Sequence, residues 1–164
     1  AVTDWLLDSD PSIRWQTLRD LLDAPAKVVA AERAKVATEG WGARLLALQG
    51  EDGLWDGGAL FPARNLRSNN GDKFGGEHGQ PWTATAYSLL LLRDLGVDPH
   101  REQIRRAVAL VRNHCRWEHA GQPFFSGEVE PCINGMTIVL GVYLIKMLMA
   151  GHEVELTGLR PQAM

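Results

Sequence analysis

The chain has 164 residues, of which 45% are hydrophobic and 23% are charged, a composition typical of one soluble globular domain and unlike that of a disordered chain. Its net charge of −3 at pH 7 argues against nucleic acid as a main partner, because nucleic-acid-binding domains usually carry a basic surface. Two cysteines, Cys115 and Cys132, are too few for a disulfide framework. With no signal peptide visible, we expect a cytoplasmic protein.

Apolar residues recur at helical spacing from the first predicted element onward. Asp10 and Pro11 predict the start of a helix that runs to Asp23, since Asp favours the cap and Pro the first turn. A second helix is predicted over 27–37 and a third from 41 to 49. The glycine-rich stretch 50–80 is predicted to be a long loop, of a kind that is usually functional or mobile.

The clearest predicted helix spans 82–95 and ends at Gly96, a natural left-handed stop. Asp98 and Pro99 predict the cap of a fifth helix. Its predicted inner face consists of Ile104, Ala107, Val108 and Val111, and its outer face carries Arg101, Arg105, Arg106 and Arg112. An irregular stretch over 116–134 precedes an apolar sixth helix over 136–150.

The apolar sixth helix is too short to span a bilayer, and Lys146 interrupts it, so we expect no membrane span. No strand is predicted anywhere in the chain. The sequence therefore predicts an all-α fold of helical hairpins over 1–151, followed by a tail over 152–164.

One motif stands at fixed offsets after the third helix: Gln49, Gly53 and Trp55, followed by a helix that opens with Pro81 and Trp82. The glutamine amide is expected to tie its helix end to the backbone of the next hairpin. Glycine permits the tight turn, and tryptophan seals the joint. A weaker second copy is predicted over 107–125.

This pattern resembles the squalene-cyclase and protein-prenyltransferase superfamily. The resemblance implies an α/α toroid, two concentric rings of helices around an apolar cavity that binds an isoprenoid-like small molecule. Six helices are about half of such a ring, and half a ring exposes apolar surface that monomers rarely tolerate. We therefore expect either a homodimer or a piece of a larger toroid.

The catalytic motifs of that superfamily are only partly present. The aspartate-rich run of the cyclases is absent, because Asp8-Ser9-Asp10 is followed by Pro11 and is expected to cap a helix. Glu130-x-Cys132 is similar to the zinc-binding Asp-x-Cys pair of the prenyltransferases. No third zinc ligand is assigned; the candidates are His78, His114, His119 and His152. Cys115 and His119 would share a face if their helix continued. We expect no cofactor, with zinc as the alternative.

Candidate site residues cluster in the loops that would lie at the mouth of a toroid. Glu128 and Glu130 are predicted to donate protons. The aromatic side chains of Trp82, Tyr87, Trp117, Phe124 and Phe125 are predicted to line the ligand site, with core packing as the alternative for them. The glycine-rich loop that ends at His78 is predicted first to be an ordinary surface loop, with a mobile lid over the cavity as the alternative. His78 is predicted to be among the ligand-binding residues.

Two other functions fit the same helices. One is a non-catalytic helical module that binds a ligand or a protein. The other is a HEAT-like scaffold, because the run Asp10-Pro11-Ser12-Ile13-Arg14 is similar to the opening of a HEAT repeat.

Overall fold

The computed structural model describes residues 1–62, 81–117, 121–126 and, further on, residues 131, 134, 135, 137–139 and 141. The helices there are α1 (Val2–Leu7), α2 (Pro11–Asp20), α3 (Ala26–Lys35), α4 (Gly40–Ala47), α5 (Thr85–Leu95) and α6 (Glu102–His114), with 3-10 turns at Pro81–Thr83 and Phe124–Ser126. Across these residues the only β-type pairing is an isolated bridge between Arg116 and Pro123. The all-α fold class is confirmed.

Helix α2 begins where the sequence predicts, and the reason is the Asp10 carboxylate. One oxygen, Oδ1, accepts hydrogen bonds from the Ser12 amide at 2.9 Å and from the Ser12 hydroxyl at 2.6 Å. The other oxygen, Oδ2, accepts the amide of Trp41 at 2.7 Å, in the first turn of α4. A single side chain therefore caps two helices. Helix α2 ends at Asp20, earlier than predicted, and Asp23 adopts a left-handed conformation with φ of 46°.

Helix α5 ends at Gly96, as predicted, with φ of 99°. The α2–α3 hairpin binds this helix end: Trp15 Nε1 donates to the Leu95 carbonyl at 2.8 Å, and Arg33 Nε donates to the Gly96 carbonyl at 2.7 Å. The guanidinium carbons of Arg19 and Arg33 lie 4.4 and 5.3 Å from the centre of the Trp15 ring. Carbonyls that a helix end leaves without intrahelical partners are thus satisfied by a neighbouring hairpin.

Helix α6 differs from its prediction at the start. Asp98 accepts the amide of His100 at 2.9 Å, which closes a local turn, so the helix begins only at Glu102, with Arg101 as its N-cap residue. The placement of Arg101 on the outer face is wrong: its side chain is half-buried, and its Nε is buried without a hydrogen-bond partner. The other three predicted outer arginines are exposed.

The core joins residues far apart in the sequence. On α6 the predicted inner residues Ile104, Ala107 and Val111 are buried, and Val108 packs against the core. Leu46 of α4 and Leu92 of α5 are buried with them. None of the helices in the described part of the chain is long and apolar enough to cross a membrane.

Three predicted elements lie wholly or partly outside the described residues. Of the predicted sixth helix over 136–150, residues 137–139 and 141 are described and are helical, as are residues 131, 134 and 135 before it. Its remainder, the tail over 152–164 and the second half of the glycine-rich loop lie outside the described residues.

Candidate functional site

The Gln–Gly–Trp motif (Gln49, Gly53 and Trp55) joins three helices. The Gln49 side chain lies just after α4, and its Nε2 donates to the Gly53 carbonyl at 2.8 Å and to the Gln103 carbonyl at 3.1 Å. Gln103 belongs to the first turn of α6. The sequence-based expectation that this amide ties one helix end to the backbone of the next hairpin is confirmed.

The turn after Gln49 requires glycine at position 53. Gly53 has φ of 86°, a region that side chains with a Cβ rarely adopt. A methyl group there would also lie 2.7 Å from the Leu110 side chain and 2.8 Å from Arg106 Nε. The turn itself is closed by Gly50, whose amide donates to the Leu54 carbonyl at 2.8 Å. This loop therefore packs directly on α6.

Trp55 seals the joint from the other side. Its side chain is 2% exposed, and Nε1 donates to the Leu45 carbonyl at 2.8 Å, close to the end of α4. The Trp55 amide donates to the Thr85 hydroxyl at 3.0 Å, in the first turn of α5. Buried indole and backbone donors usually need such partners, and here both partners belong to helix ends.

The loop after Trp55 caps α5. The amides of Thr85 and Ala86 donate to the carbonyls of Gly58 at 3.0 Å and Ala59 at 2.8 Å. The Thr83 hydroxyl donates to the Asp56 carboxylate at 2.6 Å, and Asp56 has φ of 52°. Asp56 was not predicted to belong to the site. No sequence pattern pairs it with Thr83, because the two are brought together only by the fold of the loop.

Of the predicted ligand-binding aromatics, Trp82 and Tyr87 form one pair at the start of α5. Their ring centres are 5.4 Å apart in an edge-to-face arrangement. The Trp82 side chain is 65% exposed, and Tyr87 is half-buried against the core. This pair presents an aromatic surface beside the Asp56–Thr83 hydrogen bond.

The other three predicted aromatics form a second cluster. The Trp117 and Phe124 rings are stacked with centres 4.7 Å apart, and Phe125 meets Phe124 edge-on at 5.3 Å. Trp117 Nε1 donates to the Phe124 carbonyl at 2.9 Å. Both Trp117 and Phe124 are buried, which corresponds to the core-packing alternative. Trp117 and Phe124 belong to the same hydrophobic core against which Tyr87 and Phe125 pack.

The predicted acids and the zinc pair cannot be placed. His78, Glu128, Glu130 and Cys132 lie outside the described residues. Helix α6 ends at His114, and Cys115 is extended, so the condition for Cys115 and His119 to share a helical face is not met. Burial raises the pKa of the Cys115 thiol above its ordinary value, against the opposing charge of Arg116. Within the described ranges, no group of three or more His, Cys, Asp or Glu side chains could hold a metal ion.

A groove of about 350 Å³ runs along the outer face of α6. Its described lining comes entirely from that helix: Glu102, Arg105, Arg106, Ala109, Leu110, Asn113 and His114. Sequence reasoning placed arginines on this face but predicted no site there. Arg106 is held by a hydrogen bond from its Nη2 to the Glu51 carbonyl at 2.8 Å.

The described residues thus offer two surfaces for binding: an exposed aromatic pair at the start of α5 and a cationic groove on α6. Comparison with known proteins found no matching family model, no matching curated protein and no matching solved structure.

Proposed function

We propose that this chain binds an apolar, isoprenoid-like small molecule among helical hairpins that form part of an α/α toroid. The observation that carries the proposal is the pair of hydrogen bonds from Gln49 to Gly53 and Gln103. Gln49 and Gln103 are 54 residues apart, so the motif ties the end of α4 to the first turn of α6, two helices that are not adjacent in the chain. A closed ring of hairpins needs a lateral joint of this kind.

The aromatic pair supports the choice of an apolar ligand. An indole that is 65% exposed gains free energy when an apolar surface covers it. Tyr87 supports the ring from one edge. We propose that Trp82 contacts the ligand directly and that Tyr87 orients the Trp82 ring.

The enclosure is proposed to need more helices than one chain supplies. Exposed apolar side chains include Trp41 and Leu48 at α4. An interaction surface would account for this exposure, since contiguous apolar patches usually mark interaction sites. We propose that a second copy or additional hairpins complete the ring. Any acid-assisted chemistry is assigned to Glu128 and Glu130. If both are replaced by glutamine and the variant still binds ligand with no loss of turnover, the chain is a non-catalytic binding module.

The test is binding of a neutral sesquiterpene alcohol, measured by calorimetry, to the wild type and to two variants. Trp82→Ala is expected to weaken binding roughly tenfold, because the aromatic contact area is lost. Trp5→Ala is the matched control, since Trp5 is also exposed, at 71%, but lies on α1. It is expected to change affinity by less than about twofold. An equal loss in both variants, or no binding by the wild type, would contradict the proposal.

A second candidate, a helical module that binds protein, is favoured by exposed apolar residues at the α2–α3 turn. Leu21, Leu22 and Val28 are 62%, 45% and 47% exposed. The partner that can be tested directly is a second copy of the chain. If the α2–α3 turn binds a second copy, replacing Leu21 and Leu22 by serine is expected to reduce self-association measured by light scattering, while Trp82→Ala is expected to leave it unchanged.

The HEAT-like scaffold has a more limited basis. Asp10 caps α2, as the resemblance to a HEAT opening implies, and Arg14 pairs with Glu32 of α3. Both contacts also serve a hairpin that belongs to a toroid, so they do not favour the scaffold over the first proposal.

A further inference from the structure

The α6 groove combines features that the proposed function does not use. Residues 101–116 contain five arginines (Arg101, Arg105, Arg106, Arg112 and Arg116) and one acidic residue, Glu102. This segment therefore has a net charge of +4 in a chain whose net charge is −3. Such a concentration of one sign of charge on a helix and its two flanking residues raises the local concentration of anions.

Within the part of the chain that the structure describes, these guanidinium groups form no ion pair with a carboxylate. None of the ion pairs between described residues involves any of the five arginines, whereas Arg14, Arg19 and Arg93 elsewhere all pair with acids. The Arg105 amide donates to the Arg101 carbonyl at 3.0 Å, but its exposed guanidinium has no hydrogen bond or ion pair to any residue that the structure describes. A guanidinium without a partner is free to bind an anion in a bidentate manner.

The groove gives this charge a defined shape. Glu102, Arg105 and Arg106 lie at one end, where two guanidinium groups outnumber one carboxylate, and Ala109 and Leu110, one turn further along α6, supply the apolar part of the lining. Asn113 and His114 close the far end, about 12 Å from Arg105 at the helical rise of 1.5 Å per residue. The volume of about 350 Å³ is at the lower end of the range of small-molecule sites, about 300–1,000 Å³.

The Arg106 side chain is held in position before any ligand binds. Its Nη2 donates to the Glu51 carbonyl, and its side chain packs against Gly53. One guanidinium is thus fixed by the Gln–Gly–Trp loop, and its neighbour Arg105 is free to approach a ligand. Fixing one of two binding groups lowers the entropy cost of association.

We infer that the α6 groove binds a short amphiphile whose anionic head group, a phosphate or a carboxylate, contacts Arg105 and Arg106 and whose apolar part lies over Ala109 and Leu110. This site is separate from the Trp82–Tyr87 pair. Binding of a neutral isoprenoid at that pair and of an anionic amphiphile in the groove can therefore succeed or fail independently.

The experiment uses the full chain and four probes in calorimetry: octyl phosphate, octanoate, octanol and inorganic phosphate. The two amphiphiles are expected to bind, and octanol and inorganic phosphate to bind at least about tenfold more weakly, because each lacks one half of the recognised chemistry. The ratio between octyl phosphate and octanoate distinguishes a phosphate head group from a carboxylate.

Two variants test the location. Arg105→Glu is expected to weaken amphiphile binding by about tenfold or more. Arg112→Glu makes the same charge change on the same helix but outside the groove lining, and it is expected to have less than about a threefold effect. Equal losses in the two variants would show a diffuse electrostatic attraction and overturn the inference. So would equal binding of inorganic phosphate and octyl phosphate, or no binding of either amphiphile. Circular dichroism confirms that both variants are folded.

Discussion

Asp10 shows how one carboxylate organises two helices. Partial burial raises the pKa of this carboxyl group, but hydrogen bonds from the Ser12 hydroxyl and amide and from the Trp41 amide, together with the charge of Arg14, outweigh burial. The pKa therefore lies below its ordinary value of 3.8. Because each oxygen accepts hydrogen bonds from a different helix, a side chain with a single acceptor oxygen would lose the contact with one of the two helices.

Asp10→Asn is expected to lower the free energy of unfolding at pH 7 by about 1 kcal/mol, because asparagine retains the cap of α2 but loses the acceptor for Trp41. Urea unfolding measures this. Asp8→Asn, two residues away, is the control and is expected to stay within about 0.5 kcal/mol of the wild type.

The pH dependence provides a second readout for the same variant. A lowered pKa in the folded state contributes stability that is present above 3.8 and is lost as the pH falls through the folded pKa. The difference between wild type and Asp10→Asn is therefore expected to shrink as the pH falls below 3.8. The pKa of Glu32 is also lowered, so protonation of Glu32 at acid pH lowers the free energy of unfolding of the wild type and of Asp10→Asn by the same amount. A difference that stayed constant down to acid pH would contradict this assignment.

At the scale of elements, the end of α5 depends on close approach between Gly96 and Trp15. A methyl group at Gly96 would lie 2.6 Å from the indole ring, and the φ of 99° strains any residue with a Cβ. The indole cannot move away easily, because its Nε1 is bonded to Leu95 and a guanidinium lies 4.4 Å from its centre. The α2–α3 hairpin and α5 are therefore fitted to each other.

Gly96→Ala is expected to lower the free energy of unfolding by about 3 kcal/mol, from backbone strain and overpacking together. Gly121→Ala separates the two causes, since Gly121 also has positive φ, 62°, but its added methyl group would meet nothing within 4 Å. It is expected to lose only about 1 kcal/mol. Equal losses in chemical denaturation would mean that contact with Trp15 contributes nothing.

At the scale of the whole molecule, Gln49 links α4, the following turn and α6. Gln49→Glu keeps the size of the side chain but replaces the donor by an acceptor that faces two carbonyl oxygens. The variant is expected to lose about 2 kcal/mol of unfolding free energy. Gln122→Glu, the same change at an exposed position, is expected to stay within about 0.5 kcal/mol. If both variants unfold at the same urea concentration, the motif does not hold the hairpins together.

The sequence correctly predicted those features of the fold that depend on residues close together in the chain. The cap at Asp10, the stop at Gly96 and the apolar face of α6 all follow from spacing and backbone preference. Helix α1 was not predicted, because it buries none of its residues and so carries no periodic pattern. Asp98 was wrongly predicted to cap α6, because an aspartate closes a local turn or caps a helix with the same side-chain geometry.

Long-range partners could not be predicted in the same way. Nothing in the local sequence indicates that Arg33 binds the end of α5 or that Asp10 reaches Trp41, since both contacts depend on how the hairpins are packed. The motif predicted that the Gln49 amide binds the backbone of the next hairpin, but it did not identify Gln103 as the partner. The groove on α6 required the structure, which shows its lining and its volume.

Hydrogen exchange at the Trp55 indole reports how often the joint between the hairpins opens. Its indole proton is shielded from solvent and shared with the Leu45 carbonyl, so deuterium can replace it only when α4 and the Gln–Gly–Trp loop separate. The lifetime of that one proton in heavy water therefore reports how often the joint between hairpins comes apart, while the indole of Trp5, which is 71% exposed, exchanges at once.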